Sequence, residues 1–286
     1  MSTIKVLDGN GVEKFYETIG AGTLLDPHLS IPADFITEVI AGNVKGYKGF
    51  KALGERENVP IDSKGADIWK GSDLSPAPTN INQIPIPPDV GEQMTVVSED
   101  ANDTNAGTGV HTVRIHYLDA SGVEMQEDIT MNGTTPVNMV ATDIRFVQDM
   151  HTVAVGSNGF AEGNIKIYAT SDSGLVYNMI ALGGNKSLVP HRMIPAGKEL
   201  IQAVWGISES GNQRIAFMIR STDMYGELLP RVFCPKGTKY LKGSSADNII
   251  LNDKIPAFSI VKVSGWADQA GSEASCSWFG VLRDIV

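Results

Sequence analysis

Five histidines, His28, His111, His116, His151 and His191, are the side chains best suited to acid–base work or metal binding, because imidazole changes charge near neutral pH. No two stand at the spacing that sets zinc ligands on one face of a helix. His111 and His116 fall in an extended run, where an odd separation points them to opposite faces. Each reads as a polar sheet or loop residue. Paired carboxylates of the glycosidase kind would have to come from Glu99-Asp100-Asp103 or Glu124-Glu127-Asp128. The first cluster lies in a Gly/Asn-rich loop and the second mostly on the solvent side of a hairpin, so both read as solvated acidic surface. The EDANDTN run offers oxygens to calcium but lacks the EF-hand pattern. GSNGF at Gly156 to Phe160 is not GxSxG, GGNKS at Gly183 to Ser187 lacks the first half of a phosphate loop, and GAGT at Gly20 to Thr23 lacks the third glycine of a dinucleotide fingerprint. No catalytic residue, metal ligand or cofactor is expected.

The elements around these residues read as strands. Val110 to Leu118 alternates, with Val113, Ile115 and Tyr117 on one face and Thr112, Arg114 and His116 on the other. A turn at Asp119 to Gly122 leads into a return strand whose dry face is Val123, Met125, Ile129 and Met131, and Asn132-Gly133 makes the next turn. Further strands are predicted at Met94 to Val97, Asp143 to Phe146, His151 to Val155, Asn164 to Tyr168, then from near Leu175 and over Leu200 to Ile207, Gln213 to Arg220, Leu228 to Cys234, Phe258 to Val263 and Ser275 to Leu282. In Arg214 to Arg220 the inward set is Ile215, Phe217 and Ile219. Short strands at this spacing indicate an all-β fold of β-sandwich or jelly-roll modules.

Upstream the pattern weakens. Residues 1–60 carry much glycine and proline, a small hairpin over Ile4 to Tyr16, and a stretch from Ala33 to Val44 whose β-branched residues favour a strand over a helix. This region reads as an extended N-terminal arm or anchor, ordered against another subunit. Residues 61–180 read as a sandwich with a proline-rich lead-in and residues 181–286 as a second, jelly-roll-like sandwich; strand spacing equally allows the two series to combine into one larger sandwich. Trp69, within GADIWKG, reads either as a plug at the end of a sandwich or as an interface anchor.

Composition narrows the function classes. Against 23 Lys and Arg stand 33 Asp and Glu, a formal charge of −10 that repels nucleic acid. No run approaches the roughly 20 apolar residues of a membrane span, and the first thirty residues lack the order of a signal peptide. Neither nucleic acid nor membrane is an expected partner, and synthesis in a cytoplasm is. Cys234 and Cys276 accordingly read as buried thiols.

Ala101 to Val137, ANDTNAGTGVHTVRIHYLDASGVEMQEDITMNGTTPV, resembles a module of structural proteins in tailed-phage virions, particularly those of phages of aquatic bacteria. Val6 to Pro32, with its GAGT and DP elements, is similar to N-terminal segments of phage structural and fibre-associated proteins. Ile194 to Ser208, IPAGKELIQAVWGIS, is like the opening strand of the C-terminal half of the same proteins. The resemblance implies a virion component assembled in the host cytoplasm: a capsid decoration, cement or head-fibre protein held by its arm, with the major capsid protein as partner and a homo-oligomer, a trimer in the usual case. A tail or baseplate component that binds a host receptor or glycan is the alternative. Phe15, Tyr16, Tyr47, Phe50 and Trp69 are the aromatic side chains expected at the assembly interface, and a protein lacking residues 1–60 is expected to fold without joining its particle.

Overall fold

The computed structural model describes residues 2–7, 13–18, 38–61, 64–210, 213–243, 246–251, 253–269 and 271–285. Runs of Val, Ile, Thr and aromatic residues between Gly, Pro, Asn and Asp turns make strands nearly throughout, and the fold is all-β. In chain order the strands are β1 (Ser2–Leu7), β2 (Glu13–Thr18), β3 (Tyr47–Val59), β4 (Ala66–Asp67), β5 (Met94–Ser98), β6 (Val110–Asp119), β7 (Glu124–Thr130), β8 (Val137–Asn138), β9 (Ile144–Val155) and β10 (Ile165–Ala169). They continue as β11 (Asp172–Ile180), β12 (Arg192–Met193), β13 (Lys198–Glu209), β14 (Arg214–Ser221), β15 (Asp223–Met224), β16 (Glu227–Leu228), β17 (Cys234–Lys242), β18 (Ala246–Leu251), β19 (Ile260–Ala267) and β20 (Ser272–Asp284). The chain divides into two compact units, Met1–Gly49 and Phe50–Val286.

In the first unit β1 and β2 form the expected antiparallel hairpin, with Ser2 opposite Thr18 and Leu7 opposite Glu13. Of the stretch expected as a strand from Ala33, residues 33–37 lie outside the described residues, and 38–40 are a helical turn instead. The reason is its stop signal. Gly42 takes φ +76°, its N–H donates to Val39 O and that of Asn43 to Glu38 O, which is the Schellman pairing that glycine permits.

The second unit holds two sandwiches. In the first, the sheet β11-β10-β5-β8 faces the sheet β7-β6-β9, with Met94, Val96, Ile165 and Ile167 meeting Val113, Ile115 and Met150 in one core. In the second, β12-β19-β14-β17, extended by β4 on β19, faces β18-β13-β20-β3. Its core joins Ile215, Phe217, Ile219, Val261 and Val263 to Phe50, Ala52, Trp205, Ile207, Cys276 and Trp278. The rings of Trp205 and Trp278 stack at 4.7 Å, and Phe50 meets Trp278 edge-on at 5.5 Å. Leu118 and Phe146 of the first sandwich pack with Met193 and Ile260 of the second. Both groups of the Gln148 side-chain amide bond the Met193 backbone, its nitrogen donating to the carbonyl at 2.6 Å and its oxygen accepting from the N–H at 3.1 Å.

The second sandwich therefore takes β3 and β4 from before the first one. Residues 50–59, expected in the arm, are sheet residues. Their alternation is faint in the sequence because the inward positions hold Phe50, Ala52, Gly54 and Arg56, only the first of them large and apolar. Gly54 is required where it stands: a Cβ there would lie 2.7 Å from Pro190 Cδ and 2.8 Å from Ile68 O.

Three further expectations change. The runs at Asp143 and His151 are one strand, β9, because the intervening Gln148 and Asp149 have side-chain partners within the fold. The run from Leu228 to Cys234 is mostly a turn, with Arg231 at φ +64° and the Val232 N–H donating to Leu229 O; Pro230 has no N–H to give a ladder. Val123 and Met125 are exposed while Ile129 and Met131 are buried; β7 is an edge strand, and its first half overhangs the core. Cys234 and Cys276 are free and buried.

Candidate functional site

Strand β4 sets Asp67 directly opposite Ser264 of β19. Asp67 is 1% exposed, and buried polar groups must find partners. Its Oδ1 accepts from Ser264 Oγ–H at 3.0 Å and lies 3.0 Å from Lys262 Nζ. Its Oδ2 accepts from the Ile84 N–H at 2.9 Å, and Lys262 Nζ and His191 Nε2 each stand 3.2 Å away. Burial alone would push this carboxyl's pKa up; the Lys262 ammonium and the His191 ring overcome it and hold the group well below the usual carboxylate range. Burial likewise drives the His191 pKa down, against the pull of Asp67, so the ring is neutral. Its Nδ1 has no hydrogen-bond partner among the described residues, which assigns the proton to Nε2. Lys262 Nζ also sits 4.1 Å from the centre of the Phe233 ring.

Arg56 extends this cluster across β3. Its Nη1 donates to Asp67 O at 2.9 Å and to Ile81 O at 3.1 Å, and its Nη2 to Asn82 Oδ1 at 2.8 Å. Arg192 is buried alongside and donates to the carbonyls of Lys51, Val189 and His191. The cluster thus ties β3, β4, the lead-in, the connection between the sandwiches and β19 to one another. Its residues are buried from solvent.

The acidic loop of the first sandwich is also internal structure. Asp103 is fully buried; Oδ1 accepts the N–H groups of Val110 and Glu162 at 2.7 and 3.0 Å, and Oδ2 accepts from Ser98 Oγ–H and the Gly163 N–H at 2.6 and 2.9 Å. These are donors to a carboxylate, the opposite of a cation site. Gly107 is forced by close approach, since a Cβ there would lie 2.0 Å from Asn102 O. The Gly/Asn/Asp character of ANDTNAGTG is what folds this loop around one carboxylate. No group of three or more His, Cys, Asp or Glu among the described residues is arranged to hold a metal ion.

Among the histidines, His116 and His151 stack at 5.2 Å on the outer face of the first sandwich, and His111 Nε2 bonds Gly107 O at 2.8 Å. Of the acidic cluster on β7, Asp128 pairs with Arg114 at 2.7 Å, and Glu127 accepts the N–H groups of Val140 and Ala141.

The five expected interface aromatics separate. Phe15 and Tyr16 occupy successive positions of β2, paired in register with Lys5 and Ile4 of β1. Tyr47 is half-buried at the start of β3. Phe50 and Trp69 face inward: Phe50 belongs to the second core, while Trp69 packs with Leu74, Ile84, Val97, Tyr168 and Val176 and donates its indole N–H to Ile81 O at 3.0 Å. A Cβ on Gly71 would meet the Trp69 ring at 2.2 Å, so the glycine of the WKG run is what admits the indole.

Hydrophobic patterning does not single out Tyr225, an aromatic that is 95% exposed. It and Gly226 form the turn between β15 and β16 with φ +52° and +83°, a two-residue turn of the kind that favours Asn-Gly. The hairpin stands on Asp223, which accepts from Ser221 Oγ–H at 2.6 Å and pairs with Lys236 at 2.8 Å. A Tyr-Gly dipeptide in the place of Asn-Gly is the sequence signal that marks it.

No protein-family model matches the chain, and no curated protein matches it. Among solved structures it is similar to the cowpea mosaic virus top component of naturally occurring empty particles at 8% identity, over 68% of this chain and 87% of that one, with a TM-score of 0.20. It is also similar to the infectious bursal disease virus Gx strain at 10% identity, over 88% and 82%, with a TM-score of 0.23. Scores of this size fall far below those of a shared fold.

Proposed function

We propose that this chain is a non-enzymatic structural component of a tailed-phage virion, a capsid decoration, cement or head-fibre protein attached through its N-terminal unit to the major capsid protein, and working as a homo-oligomer, in the form of a trimer. The observation that carries the reading is the fate of the reactive side chains. Asp67, His191, Lys262 and Asp103, the groups best placed for chemistry, are buried and bonded to their own fold. What remains for partners is surface: two sandwiches and a separate compact unit at Met1–Gly49. The resemblance of residues 101–137, 6–32 and 194–208 to virion proteins supplies the setting. Phe15, Tyr16 and Tyr47 are the anchors proposed for the attached unit, with strand addition along the β1–β2 hairpin as its mode. Val123, Met125 and Val140, all exposed on the first sandwich, offer a second contact.

The test is incorporation. A chain that begins at Phe50, where the second compact unit starts, folds as the double sandwich and is absent from purified particles made in its presence. Incorporation of that truncation at the level of the full chain overturns attachment through the N-terminal unit.

Tyr225 favours a second reading. An aromatic side chain held outward on a braced hairpin suits recognition of a host receptor or glycan by a tail or baseplate component. On that reading Tyr225→Ala abolishes adsorption to host cells and leaves particle assembly unchanged; on the attachment reading adsorption is unaffected.

A further inference from the structure

The Asp67–Lys262 pair has the arrangement of two reactants as well as that of an ion pair. We propose that Lys262 Nζ and the Asp67 side chain condense within the folded chain to an amide, a covalent bond between β4 and β19. The inference rests on this cluster alone and is independent of the function proposed above.

Proximity comes first. Nζ stands 3.0 Å from Oδ1 and 3.2 Å from Oδ2, so the carboxyl carbon between them lies within about 3.5 Å of the nitrogen, the separation of a near-attack pair. The strand register fixes it: Asp67 pairs with Ser264, and Lys262 reaches the same carboxyl from the diagonal position on the same face of β19. Both residues are almost fully buried, at 1% and 3% exposure. Holding two such groups together in a rigid sheet replaces a bimolecular encounter with a step inside one molecule.

The driving force is the removal of buried charge. Keeping an ammonium and a carboxylate out of water is unfavourable for each ion, and a neutral amide has neither. The Phe233 ring, 4.1 Å from the nitrogen, covers that side of the pair.

The balance closes without a co-reactant. The ammonium first passes a proton to the carboxylate, giving amine and acid. The amine lone pair attacks Cγ, forming the C–N bond, with Oδ1 carrying the developing charge beneath the Ser264 hydroxyl. The nitrogen then gives up one more proton to Oδ2, and the Cγ–Oδ2 bond breaks. An ammonium and a carboxylate thereby become an amide and one water. His191 Nε2, hydrogen-bonded to Oδ2, is positioned to relay that proton to the departing oxygen. The bond would close a covalent loop around the entire first sandwich, since Asp67 precedes it and Lys262 follows it.

The measurement is the intact mass of the purified full-length chain after denaturation. The expected result is a mass lower than the sequence by one water, with a protease digest yielding a branched peptide that joins the Asp67 and Lys262 fragments. Lys262→Met and Asp67→Ala each restore the full mass. Asp67→Asn expels ammonia instead and arrives at the same final mass as the condensed natural chain. His191→Ala slows the appearance of the condensed species by about tenfold or more. A natural chain of unaltered mass, with no branched peptide, overturns the proposal and leaves the pair an ion pair; that result is read on the natural chain and needs no variant to fold.

Discussion

The two sandwiches share an architecture and differ in how the chain builds them. The first is made from one continuous stretch, β5 to β11, whereas the second combines β12 to β20 with β3 and β4 from the other side of the first. A continuous sandwich is specified by local periodicity. A split one also needs instructions that act across the intervening domain, and here those are polar: Arg56 on β3 and Asp67 on β4 reach Asn82, His191, Lys262 and Ser264. Apolar contact holds either sandwich together, and in the second the buried polar groups add hydrogen bonds that tie the distant segments to it.

The largest effect should come from removing a borrowed strand. A chain starting after Pro60 loses β3, hence Phe50, Ala52 and Val59 from the second core, and the loss exceeds the roughly 5–15 kcal/mol that keeps a domain folded. Its far-UV spectrum and protease resistance should show a disordered second sandwich, while a start at Phe50 leaves both intact. Equal stability of the two truncations would break the comparison.

Next in size is Asp67→Ala, which strands Lys262 and His191 in the interior and should lower stability by about 3–5 kcal/mol in thermal unfolding. The corresponding loop carboxylate of the first sandwich, Asp103, offers a sharper contrast. Asp103→Ala leaves four donors unmatched and should lower stability by about 1–3 kcal/mol, with hydrogen-exchange protection lost first in β5, β6 and β10.

Acid should act on the second sandwich first. The folded-state pKa of His191 is depressed below its ordinary 6.5, so below that pH the unfolded chain binds a proton that the folded chain refuses. The stability contributed by the neutral ring is therefore full above about 6.5 and is lost as pH falls through the unfolded value. Unfolding monitored through Trp205 and Trp278 should shift to lower temperature as pH is lowered from neutral through that value, and His191→Gln should flatten the shift. The smallest effect runs the other way: Tyr225→Asn relieves a positive-φ tyrosine and should stabilise the chain by about 0.5–1 kcal/mol.

The contrast between the sandwiches also accounts for what is legible in the sequence. Val113, Ile115 and Tyr117 on β6, and Ile215, Phe217 and Ile219 on β14, are all buried as their alternation predicts. In β3 the same alternation is carried by Ala52, Gly54 and Arg56, residues whose inward orientation follows from Pro190 packing over Gly54 and from the acceptors around Arg56. Periodicity of apolar residues is blind to a strand that buries a guanidinium. Strands β17 and β18 leave little trace for a related reason, since CPKGTKYLK and ADNIIL carry polar and short runs. At the buried cluster, His191 has nothing in its local sequence to separate it from the other four histidines; Asp67 and Lys262, far apart in the chain, carry no local pattern that would join them. Trp69 is buried, with Gly71 making the room.

A cryo-EM map of the purified native particle, with this chain located in it, tests the central claim most directly. The account predicts the two sandwiches on the outside of the capsid, repeated with its symmetry, and residues 1–49 inserted among capsid subunits. Density at the distal tail, or sandwiches on the capsid held by some surface other than the N-terminal unit, would contradict it.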